Sequence, residues 1–215
     1  MIVKICGITT LDDALIAVEA GADMLGFNFY PASPRYIPPE ACARITEALQ
    51  GSDVLHVGVF VNGEVEMIRQ IMKDCRLDLA QLSGDEPPFV LTELAGCAFK
   101  ALRPADAPAL REVLHRYPAR TDPPAYLLDA HHPALYGGSG RQVAQELAAL
   151  LARQYPILLA GGLTPENVSS VIQEVHPYGV DVASGVEIAP GRKDPLRLRA
   201  FIRAAKQAFQ IQLAQ

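Results

Sequence analysis

The regular alternation of short apolar runs with helical stretches constrains the fold of this chain more than any other feature. Eight runs are predicted to be strands, and each is followed by a stretch of helical character. The predicted strands cover residues 2–6, 24–29, 54–61, 77–82, 98–102, 125–129, 157–160 and 180–183. The predicted helices cover residues 11–20, 39–49, 64–74, 87–95, 106–116, 142–153, 165–176 and 194–209. This order predicts an α/β protein with a parallel sheet.

Eight strand–helix units are the number that closes a parallel sheet into a (β/α)8 (TIM) barrel. The predicted strands are almost continuously apolar, as expected for strands that are covered on both faces. The 215 residues fit one compact barrel of about 200 to 250 residues. No linker or break in composition appears, so a single catalytic domain over residues 1–215 is predicted. An open doubly wound sheet would alternate in the same way, but the unusual residues cluster directly after strands, on the face of a barrel that carries chemistry.

Composition argues against several classes of protein. The net charge is −5 and the lysines and arginines form no cluster, which disfavours a nucleic-acid-binding surface. The four cysteines are widely spaced without a CxxC pair, which is typical of free thiols in a reducing compartment. The N-terminus looks like a strand rather than a signal peptide, and no apolar run approaches the ~20 residues that cross a bilayer. We therefore expect a cytoplasmic protein that binds neither nucleic acid nor membrane.

Two candidate catalytic residues end predicted strands. Cys6 ends the first strand, directly before Gly7, and its thiol can act as a base if a nearby cation lowers its pKa. Asp129 closes the sixth strand after four apolar or aromatic residues, and a carboxyl group that keeps its proton to neutral pH acts as a general acid. Position alone leaves other interpretations open, since Cys6 also fits a small buried hydrophobe and Asp129 a cap just outside the strand.

Two glycine-containing pairs follow the last two predicted strands. These are Gly161-Gly162 after the seventh strand and Ser184-Gly185 after the eighth. Glycine lets a phosphate approach backbone N–H groups closely, and the loops after strands seven and eight form the frequent phosphate site of these barrels. Ordinary turns are the alternative, but two such loops in adjacent places favour a phosphate site.

Three further loop features are weaker. Residues 136–141 form another glycine-rich segment without nucleotide-binding spacing, and we predict a loop that folds over a ligand. Arg35, after the second strand, has a planar fork suited to a carboxylate or phosphate, although most loop arginines are simply solvated. His131 and His132 have no companion cluster with ligand spacing, so no metal site is predicted.

Seven motifs spread over nearly the whole chain point together to one enzyme family. The two most specific are Lys4-Ile5-Cys6-Gly7-Ile8-Thr9 and Val180-Asp181-Val182-Ala183-Ser184-Gly185-Val186-Glu187. The others are Ser33-Pro34-Arg35-Tyr36-Ile37, Val57-Gly58-Val59-Phe60-Val61, Leu127-Leu128-Asp129, Gly137-Gly138-Ser139-Gly140 and Gly161-Gly162-Leu163-Thr164-Pro165-Glu166-Asn167-Val168. In sequence and order these motifs resemble the phosphoribosylanthranilate isomerase family.

This resemblance implies an Amadori rearrangement in tryptophan biosynthesis. N-(5-phosphoribosyl)anthranilate becomes 1-(2-carboxyphenylamino)-1-deoxyribulose 5-phosphate, with Asp129 as the general acid that opens the furanose ring and Cys6 as the general base that removes the C2′ proton. Arg35 is expected to meet the anthranilate carboxylate. No cofactor is implied, because the substrate's own amine supplies the electron sink, and family members occur as monomers or homodimers. The phosphate end is expected to lie at Gly161, Gly162, Asp181, Ser184 and Gly185.

The chain departs from the family's pattern in two places. After the fourth strand the family commonly has Gln-Leu-His-Gly, whereas this chain has Ser83 in place of the histidine. After the Gly-Gly-Ser-Gly loop the family often has Phe-Asp-Trp, whereas residues 142–144 are Gln-Val-Ala and the chain has no tryptophan. Neither change touches the proposed acid and base.

Other phosphosugar barrels and a non-catalytic protein are the competing interpretations. Indole-glycerol-phosphate synthase is expected to place lysine and glutamate at the chemistry, and a histidine-pathway aminoaldose isomerase two aspartates. A cysteine ending strand one with an aspartate ending strand six speaks against both. A phosphate-ligand sensor on an inactive barrel would be expected to lose the acid or the base, and both are present.

Overall fold

A computed structural model of the chain describes residues 1–94, 96–129 and 138–213. Eight parallel strands lie side by side in chain order and close into a barrel, with β8 pairing with β1. The barrel strands are β1 (Ile2–Cys6), β2 (Met24–Asn28), β3 (Leu55–Phe60), β4 (Leu79–Leu82), β5 (Ala98–Leu102), β6 (Tyr126–Asp129), β7 (Ile157–Ala160) and β8 (Gly179–Val182). The helices are α1 (Leu11–Ala20), α2 (Pro39–Ala48), α3 (Val65–Asp74), α4 (Pro88–Glu93), α5 (Ala107–Arg116), α6 (Gly138–Ala152), α7 (Val168–Val175) and α8 (Pro195–Leu213). The predicted (β/α)8 barrel is confirmed.

Helix α1 shows how the local sequence sets both ends of an element. The hydroxyl of Thr10 accepts a hydrogen bond from the backbone N–H of Asp13 at 3.2 Å, as an N-cap does. The helix ends at Gly21, which has a φ of 93° in the left-handed region that favours glycine. Both signals lie within a few residues of the helix ends, and the predicted bounds 11–20 agree with the structure.

Strand β4 begins two residues later than the prediction of 77–82. Arg76 adopts a φ of 49°, and the N–H of Leu77 donates to the carbonyl of Met72 at 2.8 Å. This bonding closes the end of α3, so Leu77 is committed to the helix terminus before the strand can start. The apolar run is continuous across the boundary, which is why the sequence pattern extended the strand.

Two helix starts differ from the prediction by three or more residues. Helix α7 begins at Val168 rather than at 165, because the side chain of Asn167 accepts from the N–H of Thr164 at 2.8 Å and holds the intervening residues in a turn. Helix α6 begins at Gly138 rather than at 142. Residues 138–141 of the predicted ligand-covering loop are therefore helical, while its first two residues lie outside the described part of the chain. Within residues 1–94, 96–129 and 138–213, no helix is long and apolar enough to cross a membrane.

The inward-facing side chains of the barrel form an apolar cluster and a polar group beside it. A second, larger apolar cluster fills the space between the outer face of the barrel and the helices. On β1, β4 and β8, inward positions hold Lys4, Gln81 and Asp181, all of which are buried. The inner apolar cluster consists of Met24, Val57, Leu79, Phe99, Ala101, Leu127, Leu158 and Ala160.

A short hairpin that the sequence did not predict follows β8. It is tied to the start of the chain, because the hydroxyl of Thr9 donates to the carbonyl of Gly191 at 2.5 Å. The hairpin therefore folds back over the end of β1 and brings its own side chains to the rim there. It comprises a 3₁₀ turn (Ser184–Val186) and the antiparallel strands β9 (Glu187–Ala189) and β10 (Arg192–Lys193).

Candidate active site

The predicted site residues lie at the C-terminal ends of five neighbouring strands. Asp129 ends β6, and Gly161-Gly162 and Ser184-Gly185 follow β7 and β8. Cys6 ends β1, and Arg35 lies in the loop after β2. The barrel thus gathers residues from distant parts of the chain on one half of the face where such barrels carry their chemistry.

The loops after β7 and β8 have backbone conformations that require glycine. Gly161 and Gly162 have φ values of 99° and 65°, in the region that side chains other than glycine rarely adopt. At Gly185, a Cβ would overlap the carbonyl oxygen of Leu163 and lie 3.0 Å from its carbonyl carbon. The two loops therefore pack backbone against backbone at Gly185, and a side chain there would separate them.

A cavity of about 210 Å³ lies between these loops and the end of β6. Its volume and its glycine-rich wall suit a small anionic group that is held by backbone N–H groups. The cavity is lined, among others, by Asp129, Gly161, Gly162, Asp181, Ser184 and Gly185. The structure thus places the predicted acid and the predicted phosphate residues around one space.

Cys6 is partly exposed at the rim. Burial of its sulfur raises the pKa of the thiol above its ordinary value, against the opposing field and hydrogen bond of Lys4. The charge of Asp181 raises the pKa further, whereas that of Lys193 lowers it. A proton must therefore leave the Cys6 thiol before this side chain can act as a base.

Arg35 is held by a carboxylate, and 23% of its side chain is exposed. Its Nε donates to Glu187 Oε1 at 2.9 Å and its Nη2 donates to Oε2 at 2.7 Å. Burial raises the pKa of Glu187, but hydrogen bonds from Arg35 and Lys193 outweigh it and hold the pKa below its ordinary value. Lys193 also donates to the carbonyl of Cys6 at 2.5 Å. The guanidinium is thereby fixed relative to the end of β1.

Asp129 lies next to a second arginine. Arg103 Nε is 3.4 Å from Asp129 Oδ2, with 28% of the aspartate side chain exposed. Arg103 also donates to the carbonyl of Ser83 at 3.2 Å. The acid predicted from the end of β6 is thus accessible from the cavity and has a cation beside it.

The comparisons with known proteins identify the family. The family model described as N-(5'phosphoribosyl)anthranilate (PRA) isomerase matches residues 3–204. The N-(5'-phosphoribosyl)anthranilate isomerase of Geobacter metallireducens is 47% identical over 204 residues, which cover 95% of this chain and 98% of the relative. The chain belongs to the PRA isomerase family.

Crystal structures of the family agree with the barrel described here. The PRA isomerase of Thermotoga maritima superposes with a TM-score of 0.84 and 42% identity, covering 96% of this chain and 100% of that one. Another PRA isomerase structure, a complex with reduced 1-(o-carboxyphenylamino)-1-deoxyribulose 5-phosphate, superposes with a TM-score of 0.82 and 39% identity. It covers 96% of this chain and 100% of that one.

Three charged residues of this PRA isomerase family member escaped the sequence reasoning. Lys4 shares the inward face with Cys6, but nothing in the local sequence indicates its partners. Glu187 and Lys193 lie on the unpredicted hairpin, although Glu187 is part of a quoted family motif. For Glu187 the signal was therefore available, since a charged residue ending a specific motif beside a glycine loop is a candidate for the site.

Ser83, where the PRA isomerase family commonly has histidine, joins the buried polar group. Its hydroxyl accepts from Gln81 Nε2 at 3.0 Å, and the residue is buried. No cluster of three or more potential metal ligands occurs in the part of the chain that the structure describes. His131 and His132 lie outside that part.

Proposed function

We propose that the chain isomerises N-(5′-phosphoribosyl)anthranilate to 1-(2-carboxyphenylamino)-1-deoxyribulose 5-phosphate, a step of tryptophan biosynthesis. The arrangement of five consecutive strand ends carries this proposal. It places a carboxyl group, two glycine loops, a thiol and a guanidinium in one arc of the rim. The phosphate, the sugar and the anthranilate carboxylate of the substrate each match a different part of that arc.

The two anionic ends of the substrate would bind at different strands. The phosphate enters the cavity at the β7 and β8 loops, where Gly161, Gly162 and Gly185 allow it to reach backbone N–H groups. The anthranilate carboxylate meets Arg35, whose bonds to Glu187 use Nε and Nη2. Among the described residues, Nη1 of Arg35 has no protein acceptor and is the edge available to the substrate. Binding at both ends holds the sugar over the rim between them, where positioning contributes to the rate.

Asp129 is the proposed general acid. It donates its proton to the furanose ring oxygen as the bond from that oxygen to C1′ breaks, and the lone pair of the anthranilate nitrogen forms the C1′=N bond of the Schiff base. Its position in the cavity wall next to the phosphate loops suits this step, because the ring oxygen lies close to the phosphate-bearing carbon. A positioned acid of this kind contributes on the order of 10²–10⁴ in rate.

Cys6 is the proposed general base. As thiolate it takes the proton from C2′, and the electrons of that C–H bond move into the Schiff base to give an enolamine. The enolamine then gains a proton at C1′ and loses the proton of its 2′-hydroxyl, which gives the ketone. Since burial raises the pKa of the thiol, we expect loss of the Cys6 proton to give one limb of the pH–rate profile.

Turnover of enzymatically generated substrate, followed as loss of its fluorescence, tests this proposal. Wild type is expected to consume the substrate far faster than its spontaneous decay, whereas Cys6→Ser and Asp129→Asn are each expected to lose at least about 10²-fold in kcat. Circular dichroism of each variant controls for folding. A wild-type rate equal to the spontaneous background would refute the isomerase function. A phosphate-ligand sensor would then be the remaining function that explains the glycine loops. Full activity in either variant would refute that residue's role.

A further inference from the structure

Lys4 is a cation placed inside the barrel with no exposed surface. Its Nζ donates to Asp181 Oδ1 at 2.8 Å and to Gln81 Oε1 at 3.0 Å. Cys6 lies on the same face of β1, and the charge of Lys4 acts against the raised pKa of its thiol. An ammonium group has three donors, and the bonds to Asp181 and Gln81 use two of them, which leaves one donor for the neighbouring proposed base.

The absence of a side chain at Gly26 on the neighbouring strand leaves room for the thiol of Cys6 and the ammonium group of Lys4. Gly26 on β2 pairs in register with Cys6. A Cβ on Gly26 would lie 2.8 Å from Cys6 Sγ and 3.1 Å from Lys4 Nζ. The thiol and the ammonium group therefore occupy the same small space against the glycine backbone, which keeps them together.

Burying a cation here needs a reason, because most of the surrounding interior is apolar. Taking an ammonium ion out of water costs several kcal/mol even after relaxation, and an ion pair often does no better than well-packed apolar side chains. Burial lowers the pKa of Lys4, but the charges of Asp181 and Cys6 outweigh it and raise the pKa above its ordinary value. Lys4 thus stays protonated next to the thiol.

We propose that Lys4 is a positioning residue that stabilises the thiolate of Cys6 and fixes its direction, and that Asp181 serves to hold Lys4 in place. This inference rests on the proposed function, in which Cys6 is the base. It assigns Asp181 a different task from the phosphate contact expected from the sequence. A carboxylate repels a phosphate, whereas an aspartate bonded to Lys4 at 2.8 Å has its charge balanced within the barrel.

The other charged groups that face Cys6 act less directly. Lys193 on β10 donates to the Cys6 carbonyl, and its charge is balanced by Glu187 at 2.9 Å. Arg35 is bound to the same Glu187. Lys4 and Lys193 both act to lower the pKa of the thiol, and Lys4 has the larger effect. Its removal should therefore change the ionisation of the thiol more than that of any other cation at the rim.

The test measures the ionisation of Cys6 without substrate. Iodoacetamide alkylation of the Cys6 peptide, resolved by mass spectrometry from pH 6 to about 10, reports the thiolate fraction because only the thiolate reacts. The variants are Lys4→Met and the double variant Lys4→Met/Asp181→Asn, which leaves no unpaired buried carboxylate. In the double variant we expect alkylation at pH 8 to slow by on the order of tenfold, the effect of about one pKa unit.

Steady-state kinetics then links the ionisation to the reaction. We expect kcat of the double variant to fall by on the order of tenfold or more. KM should change by less than about threefold, since the proposal gives Lys4 and Asp181 a task at the base and none at the substrate. Lys100→Met/Glu86→Gln removes another buried ion pair, 2.8 Å apart, and is expected to leave the alkylation profile of Cys6 unchanged. Melting curves show that each variant is folded.

Two results would overturn the inference. One is an alkylation profile of Cys6 in the folded double variant equal to that of wild type. The other is a shifted profile with an unchanged kcat, which would make the Lys4 contact irrelevant to the reaction. Failure of the proposed function is a separate observation, because it would appear as a wild-type enzyme that does not turn over the substrate at all.

Discussion

Replacing Gly185 by alanine is expected to push apart the two loops that form the proposed phosphate site. The new methyl group would overlap the carbonyl oxygen of Leu163 and lie 3.0 Å from its carbonyl carbon and 3.3 Å from the Cα of Thr164. All three atoms belong to the backbone, so no side chain can move aside. Restoring ordinary carbon contacts of about 3.5 Å to the carbonyl carbon moves the loops by about half an ångström, and relieving the overlap with the oxygen moves them by about 1 Å.

This displacement should lower kcat/KM while the protein stays folded. Overpacking of this kind costs about 1–3 kcal/mol of unfolding free energy, which a barrel of this size tolerates. A misplacement of about 1 Å in a positioning element costs about 10²-fold in rate, which corresponds to about 2.7 kcal/mol of transition-state stabilisation. We expect most of this loss as an increased KM, because the phosphate is bound in the ground state as well as in the transition state.

The assay combines steady-state kinetics, inhibition by inorganic phosphate and chemical denaturation. Gly63→Ala is the matched control, because a Cβ there would meet the flexible end of Met67 at 2.8 Å rather than backbone. The control should have the KM of wild type and the same inhibition constant for phosphate. In Gly185→Ala both constants should increase by similar factors. If Gly185→Ala binds substrate and phosphate as wild type does, the β7 and β8 loops do not hold the phosphate.

Three further perturbations test other parts of the molecule. Glu187→Gln removes the carboxylate that clamps Arg35, and steady-state kinetics should show KM raised on the order of tenfold, as for the loss of a hydrogen bond to a charged group, with a smaller change in kcat. Lys100→Met leaves Glu86 buried without its cation, so urea denaturation should show a loss of about 3–5 kcal/mol, partly restored by adding Glu86→Gln. Burial lowers the pKa of His56. The neutral imidazole therefore stabilises the fold above the ordinary pKa of about 6.5, and this contribution is lost as pH falls. Melting curves between pH 7 and 5 should show a smaller decrease in stability for His56→Gln than for wild type.

The fold was predictable because its signals are local and repeated. Each strand is a short apolar run, and each helix has a polar face or a cap such as Thr10, so eight units are visible without knowing how they pack. The errors lie where a tertiary or turn contact decides. Arg76 in the left-handed region delays the start of β4. The β9–β10 hairpin is too short for its pattern to be recognised, since it is held by contacts such as that between Thr9 and Gly191.

The site was predictable only in part, because its partners are far apart in sequence. Cys6 and Asp129 could be singled out, since each is a reactive group at the end of an apolar strand. Lys4 and Asp181 are 177 residues apart, and only closure of the barrel between β8 and β1 puts them in register. In the same way Arg35 and Glu187 meet across 152 positions. The sequence shows which charged groups are present, but which of them form ion pairs is decided only when the barrel closes.

That charge balance also explains why the proposed phosphate site is built from glycine rather than lysine. At the rim, Lys4 and Lys193 each have a carboxylate partner, Asp181 and Glu187, and Glu187 also binds Arg35. A substrate that brings a phosphate and a carboxylate therefore cannot rely on free lysines. Backbone N–H groups are neutral donors that need no counterion, so the phosphate can bind beside the aspartate without disturbing the ion pair beneath it.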